Sequence, residues 1–291
     1  MKALNLGSLN IDHVYTVPHF VQAGETLTTL RMDTFPGGKG FNQSVALAKA
    51  GAEVYHGGLL GEDGQLFLEL CREYGIHTDY MDQLEGMSGH TIIQVDADGQ
   101  NSILLYPGTN RAFTKERIDS ILANFGEGDY LILQNEINLV DYAIDAAYEK
   151  GMIIVLNPSP YDAYLNNCEL SKVRYLLLNE VEGEMMTGCR EPNAILNSLL
   201  GHYPRAGVVL TLGGEGAVYR DAQEEYCCAA CRVHAVDTTA AGDTFTGYFL
   251  AAVMEGQGKR EALALAAKAA AIAVTREGAS PSIPYRHEVE I

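Results

Sequence analysis

The chain has little that would send it to a membrane. Its first ten residues, MKALNLGSLN, carry no extended apolar core, and the apolar run at 262–274 is interrupted by Lys268 and closed by Arg276. A soluble, cytoplasmic protein is expected. Positive charge is also scarce: 20 Lys and Arg stand against 38 Asp and Glu, a formal net charge of -18. The resulting field repels a nucleic-acid backbone or an anionic membrane surface, so neither is expected as a partner. It does not exclude a nucleotide, because main-chain amides, a metal ion or single lysines can reverse the field inside one cleft. Cysteines are few, with six in 291 residues, a chain too long to need disulfide staples, and this fits a reducing compartment. Only Cys227, Cys228 and Cys231 cluster, without a second pair at zinc spacing and within a segment that reads as strand, so they are taken as small hydrophobes in a hairpin. There is no Walker G-x-x-x-x-G-K-[ST] motif, no G-x-G-x-x-G dinucleotide fingerprint, no internal repeat and no low-complexity tract.

The chain does have apolar periodicity, and 47% hydrophobic residues are enough for a large core. The runs YLILQ (130–134), IIVLN (153–157), YLLLN (175–179) and VVLTL (208–212) alternate with helical patterns. Between the first two, Leu139, Tyr142, Ala143, Ala146 and Ala147 recur at spacings of three and four before a stop at Gly151. This rhythm predicts crossover connections and a parallel sheet with helices on its faces, and the opening KALNLGSLN reads as another of its strands. The expected fold is a three-layer α/β/α, doubly wound, mostly parallel sheet in a single domain over 1–291. Two segments break the rhythm, 12–35 and 89–106, the second with a hairpin signal at Asp98-Gly99. They predict a small β-sheet lid over the sheet's carboxyl edge, where α/β cores bind ligands.

Two segments carry chemistry. In PGGKGFNQSVALAKAG (36–51), Gly37, Gly38 and Gly40 allow a tight backbone path feeding a helix from Asn42 to Ala50, a place for polar or anionic groups or a purely structural turn. In VDTTAAGDTFTGYFLAAVMEG (236–256), Phe245, Tyr248, Phe249, Ala252 and Val253 fall on one helical face, so a helix begins near Asp243 behind Ala240, Ala241 and Gly242. Aspartate at a helix start is commonly a cap. A carboxylate to accept a proton beside amides that hold developing charge is also what transfer of a phosphoryl group to a hydroxyl requires.

These two segments resemble the signature segments of the ribokinase (PfkB) family of carbohydrate kinases. The likeness runs from Asn5 to about Pro284 through NLGSLNID, QNE at 134–136, NEVE at 179–182, TLGGEG at 211–216 and AIAVTREGASPS at 271–282. The resemblance implies that Asn10, Asp12, Gly38, Lys39, Asn42 and Glu136 hold the sugar. It implies that Asp243 takes the proton from the primary hydroxyl, while the amides of Ala240, Ala241 and Gly242 hold the charge on the γ-phosphate of ATP. By the same likeness Asn179, Thr211, Gly213 and Gly216 bind the nucleotide, and Glu182 holds Mg²⁺ through water. A monovalent cation, K⁺, sits at Asp237, Thr239, Ala273, Arg276, Gly278 and Ser282, several acting through main-chain carbonyls. One position departs from the pattern: Ala267 stands where a histidine or asparagine commonly lies near the adenine. The implied reaction is phosphorylation of D-ribose to ribose 5-phosphate, with deoxyribose, a ketohexose or a nucleoside as other acceptors within the family. A non-catalytic sugar or nucleotide sensor is the reading outside it, opposed by the intact Asp243 and its turn; a nicotinamide-dependent oxidoreductase is opposed by the missing fingerprint. A homodimer through the β lid fits the family.

Overall fold

Residues 1–290 are described by a computed structural model of thirteen strands and nine α-helices. The first part of the chain comprises β1 (Ala3–Leu6), β2 (Asn10–Thr16), β3 (Arg31–Gly37), α1 (Lys39–Lys49), β4 (Val54–Leu60), α2 (Gln65–Tyr74), β5 (His77–Gln83), β6 (Gly89–Val95) and β7 (Asn101–Tyr106). There follow α3 (Lys115–Leu122), β8 (Tyr130–Gln134), α4 (Val140–Glu149), β9 (Ile153–Asn157), β10 (Tyr175–Asn179), α5 (Glu180–Thr187), α6 (Pro192–His202) and β11 (Gly207–Thr211). The last part is β12 (Ala217–Arg220), β13 (Glu225–Cys228), α7 (Ala241–Met254), α8 (Lys259–Ala273) and α9 (Arg286–Val289).

Nine strands form the main sheet in the order β13-β12-β11-β10-β9-β8-β1-β4-β5. Neighbours run parallel except at one edge, where β11, β12 and β13 are antiparallel. The inner parallel strands β8 to β11 are nearly continuous apolar runs because both faces are covered. Alternation sorts their side chains: Leu4, Leu6, Leu131, Leu133, Ile154 and Leu156 pack toward α3, α4 and α6, whereas Ala3, Tyr130, Ile132 and Val155 pack toward α1, α2, α7 and α8. This is the expected three-layer α/β/α arrangement. From β1 the sheet grows through β4 and β5 on one side and through β8 to β11 on the other, so the winding reverses there and opens a crevice at the carboxyl ends.

The structure differs from the sequence reading at the opening run, the second sheet and α7, and at the start of α1. The opening run is not one strand: β1 stops at Leu6, and after a turn through Gly7–Leu9 the chain enters β2 of a second sheet. That second sheet, in the order β3-β2-β6-β7, starts at Asn10 and leaves 17–30 without strand, so its β segments are shorter than 12–35. The hairpin at Asp98-Gly99 joins β6 to antiparallel β7, with Gly99 at φ 75° and Asp96 Oδ1 accepting from the amides of Asp98 and Gln100. Helix α7 is not apolar on one face only. Every residue from Asp243 to Met254 is buried, because α1 and α8 flank the helix on top of the sheet.

Contact between α1 and α7 depends on one glycine. A Cβ at Gly247 would lie 2.4 Å from the Ala46 Cβ and 2.8 Å from the Leu47 amide nitrogen. The two helices therefore approach backbone to backbone, and one turn earlier this closeness brings Asn42 and Gln43 against Asp243. The second sheet, by contrast, is exposed at its edge: in β7, Ile103, Leu104, Leu105 and Tyr106 are 53%, 65%, 44% and 54% accessible. Among the described residues no helix is long and apolar enough to cross a membrane.

Candidate active site

The carboxyl edge around β1 gathers the residues from the first half of the chain. The turn after β1 brings Ser8 under Gly40, where a Cβ would lie 2.3 Å from the Ser8 nitrogen, so only glycine lets α1 start so close. Gly38, at φ 91°, is the N-cap of α1, and the helix begins at Lys39, three residues before the expected start. Asn10 is buried and accepts from Asn110 Nδ2 at 2.8 Å. Two residues on, Asp12 accepts from Thr91 Oγ1 at 2.6 Å, and its carboxylate lies where a Cβ on Gly37 would be. Glu136, just beyond β8, accepts from the Ser8 hydroxyl and from the Lys39 amide at 2.9 Å.

Asp12 and Glu136, with Asp243 and Glu182 described below, act on one another or on the single Lys39 ammonium. Burial works against the Lys39 ammonium, but Asp243, Glu136 and Glu182 together outweigh it and hold its pKa above the ordinary lysine value. For Asp12, burial is the largest influence and pushes its carboxyl up to about 6; the Thr91 hydrogen bond opposes this, and Glu136 and Asp243 add to it. Glu136 is also raised, by burial first, against the pull of Lys39 and Ser8.

Asp243 lies in the first turn of α7 and is 6% exposed. Its Oδ2 accepts from Asn42 Nδ2 at 3.2 Å and its Oδ1 from Gln43 Nε2 at 2.9 Å, so its carboxylate is not used as the helix cap. The N-cap is Ala240, a non-glycine residue at φ 58°, a left-handed conformation that costs roughly 1–2 kcal/mol and is found where surrounding structure imposes it. Ala241 makes only a long bond, 3.3 Å, to the Thr238 carbonyl, and among the described residues the amides of Ala240 and Gly242 have no protein acceptor. These donors and the helix dipole face a cavity of about 210 Å³ also lined by Lys39, Asn179, Glu182, Thr211 and Asp243.

A second cavity, of about 770 Å³, adjoins the first and shares with it Asn179, Thr211, Thr238, Ala241, Gly242 and Phe245. Asn179 caps α5, accepting from the Val181 and Glu182 amides at 2.8 and 3.0 Å, while Glu182 Oε2 accepts from the Asn179 amide at 2.8 Å. This reciprocal pairing points both side chains at the cleft. Gly213 and Gly216 sit at φ 51° and 115°, and a Cβ at 216 would overlap the Cys228 carbonyl at 2.0 Å. Ala267 lies on the wall of this cavity with Ala270, Ala271 and Val274, an apolar surface. Cys227 and Cys228 lie in β13, and Cys231 follows it on the cavity wall.

Behind the turn before α7, Asp237 ties two loops together. Its Oδ1 accepts from the Thr239 amide and hydroxyl at 2.9 and 2.6 Å, and its Oδ2 from the Gly278 amide at 2.9 Å. The Arg276 guanidinium is committed to Glu288 at 2.7 Å; Ser282 Oγ donates to the Ala279 carbonyl at 2.8 Å, and the Ala273 carbonyl accepts from the Arg276 amide at 3.0 Å.

The sequence profile of the pfkB family carbohydrate kinases matches residues 2–286. The chain belongs to this family. It is 37% identical over 293 residues to the ribokinase of Haemophilus influenzae, covering 97% of this chain and 95% of the relative, and 34% identical over 289 residues to that of Bacillus subtilis, covering 98% and 97%. The Arabidopsis thaliana ribokinase solved with ribose and ATP is similar in structure, with a TM-score of 0.89 and 30% identity over 99% of this chain and 97% of that one. This pfkB family member is an ATP-dependent carbohydrate kinase, with a small-molecule sugar and ATP as its partners.

Reading the family signature alone missed a group of buried polar residues beneath the site. From Asp243 the hydrogen bonds pass to Gln43, from Gln43 Oε1 to Gln134 at 2.7 Å, from Gln134 to Asn5 Oδ1 at 3.0 Å, and from Asn5 to Ser44 Oγ at 2.9 Å. Ser44 meets His56 Nδ1 at 2.8 Å. The one available signal was polarity inside apolar segments: Asn5 between Leu4 and Leu6, Gln134 ending YLILQ, and His56 in β4. Because Ser44 already accepts from Asn5, its hydroxyl is left to donate to a neutral His56 ring. Burial pushes the His56 pKa down to about 4, only partly opposed by the Gly7 backbone. A folded pKa below the unfolded value means that this group's stabilisation is complete above about 6.5 and is lost as pH falls toward 4, on the order of 3 kcal/mol. Urea denaturation between pH 7 and pH 4 should show this fall, and His56→Phe should flatten it; an equal slope in both proteins would contradict the assignment.

Proposed function

We propose that this kinase phosphorylates D-ribose at its primary hydroxyl to give ribose 5-phosphate, with Asp243 as the base. The observation that carries this reading is the position of the Asp243 carboxylate, held by two amides on the wall of the smaller cavity beside the uncommitted N–H groups of Ala240 and Gly242. Similarity to ribokinases favours ribose. Asn10, Asp12, Gly38, Lys39, Asn42 and Glu136 form the sugar side, with the second sheet, from 10–16, 31–37, 89–95 and 101–106, as a lid within one domain. Asn179, Thr211, Gly213, Gly216 and Gly242 form the nucleotide side.

In the transfer step Asp243 accepts the hydroxyl proton as the sugar oxygen bonds to the γ-phosphorus, and the bond from that phosphorus to the β-phosphate bridging oxygen breaks to leave ADP. The amides of Ala240, Ala241 and Gly242, with the dipole of α7, hold the negative charge on the transferring oxygens. The Lys39 ammonium, kept charged by its carboxylate neighbours, offsets repulsion between an acidic protein and the phosphates. Asp243→Asn should lower kcat by at least about 10²-fold with the sugar KM little changed. Release of ADP across D-ribose, deoxyribose, ketohexoses and nucleosides should be fastest with ribose; a variant of near-normal rate, or preference for another acceptor, would refute the corresponding half of the proposal.

Two ions complete the reading. Glu182 has one carboxylate oxygen engaged with the Asn179 amide and its other free on the cavity wall, which suits an outer contact to hydrated Mg²⁺, the ion that neutralises phosphate charge when bound. For a monovalent cation, Asp237, Thr239, Ala273, Arg276, Gly278 and Ser282 offer hard oxygen donors, mostly carbonyls, from the end of α8 and two loops that Asp237 already joins. A cation there would order the turn that bears the Ala240–Gly242 amides. Activity should be higher in K⁺ than in Na⁺ at equal ionic strength, and equal rates would remove this site.

A second copy of the chain is the proposed occupant of the exposed β7 edge. An edge strand with unpaired main-chain groups and four accessible apolar residues is prone to pairing. The six free thiols fit a cytoplasmic setting for such an assembly. Sedimentation should give a dimer that Leu104→Glu dissociates; a monomeric parent protein would rule this out.

A further inference from the structure

Gln43 is fully buried and lines neither cavity, yet it bonds directly to Asp243. Its orientation follows from what lies on either side. A carboxylate oxygen accepts, so Gln43 must present its NH2 to Asp243 Oδ1, at 2.9 Å, and this leaves its carbonyl facing the Gln134 amide at 2.7 Å. The same Gln134 nitrogen donates to Asn5 Oδ1 at 3.0 Å, and Asn5 in turn donates to the Gly40 carbonyl at 2.7 Å and to Ser44 Oγ at 2.9 Å. Reversing any one of these amides would set acceptor against acceptor at the next contact. The set therefore has one consistent direction, carried from β1 and β8 through α1 to the mouth of α7.

We propose that Gln43 is a positioning residue for phosphoryl transfer, holding the rotation of the Asp243 carboxylate, with Gln134 and Asn5 as the lock that keeps its amide turned toward that carboxylate. Asn42 Nδ2 grips the other oxygen at 3.2 Å from the adjacent position of the same helix. Without Gln43, the carboxylate is held on one side only and turns about its χ2, which is enough to spoil the line to a sugar hydroxyl. The remaining groups that act on Asp243 are charged: Lys39 on α1, Glu136 beyond β8 and Asp12 on β2.

This inference rests on Asp243 being the base, and the experiment separates the two. Gln43→Met keeps the length and apolar bulk but has no donor. It should lower kcat by about 10- to 10²-fold with the sugar KM within about threefold. Calorimetric binding of the sugar and of ATP, and the urea midpoint, should stay close to the parent protein, so that the loss falls on the transfer step alone. Gln134→Met, which leaves every side chain touching Asp243 in place, should produce the same fall in kcat in smaller amount, and it stands in for Gln43→Met should that variant not fold. Wild-type kcat in either folded variant, or a loss of rate matched by weaker sugar or ATP binding, overturns the positioning role. Near-normal activity in Asp243→Asn overturns the base reading beneath it.

Discussion

One buried carboxylate organises this molecule. Asp243 is almost wholly removed from solvent at the start of a helix that is itself buried on every side, a placement that is expensive unless the charge is hydrogen-bonded. The bonds come from Asn42 and Gln43 on α1, and they are in reach only because Gly247 lets α1 and α7 touch backbone to backbone one turn further on. Packing in the helical layer and chemistry at the sheet edge are thus the same constraint.

The polar residues below the site extend that constraint into the sheet. Asn5 lies on β1, where the winding reverses, and Gln134 ends β8 beside it, so the two strands bordering the crevice also support the helix that bears the carboxylate partners. Burying so many amides carries a cost for each unmatched atom, and Gln134 Oε1 and His56 Nε2 lack partners among the described residues. The arrangement gives up some stability for a fixed geometry, a trade common where function requires a set orientation.

Electrostatics follow a similar division between the whole and the part. The molecule repels anions at a distance, with a net charge of -18, yet the crevice presents uncommitted amides, a helix N-terminus and Lys39. Close donors with fixed geometry dominate over a diffuse field that salt screens within about 10 Å. This is why bulk composition argues against polyanionic partners yet leaves a nucleotide open.

Much of the fold was legible in the residues. Continuous apolar runs marked β8, β9 and β10 to the residue, because a strand covered on both faces must be apolar throughout, and the signature segments marked the family before any coordinates. Local signals failed where long-range neighbours decide. No pattern in KALNLGSLN says that β1 ends at Leu6 and that Asn10 belongs to another sheet; the break exists because the Ser8 backbone must lie against Gly40. Nothing near Gln43, Gln134 or His56 announces that they join, since their separations along the chain are of 91 and 13 residues and only folding brings them to one place. By itself the sequence determined the layers, the family and the residues of the two signature segments, because periodicity and glycine spacing are local. Which amides face Asp243, and in which direction, was decided by the tertiary structure, because a hydrogen bond exists only once packing has placed both of its ends.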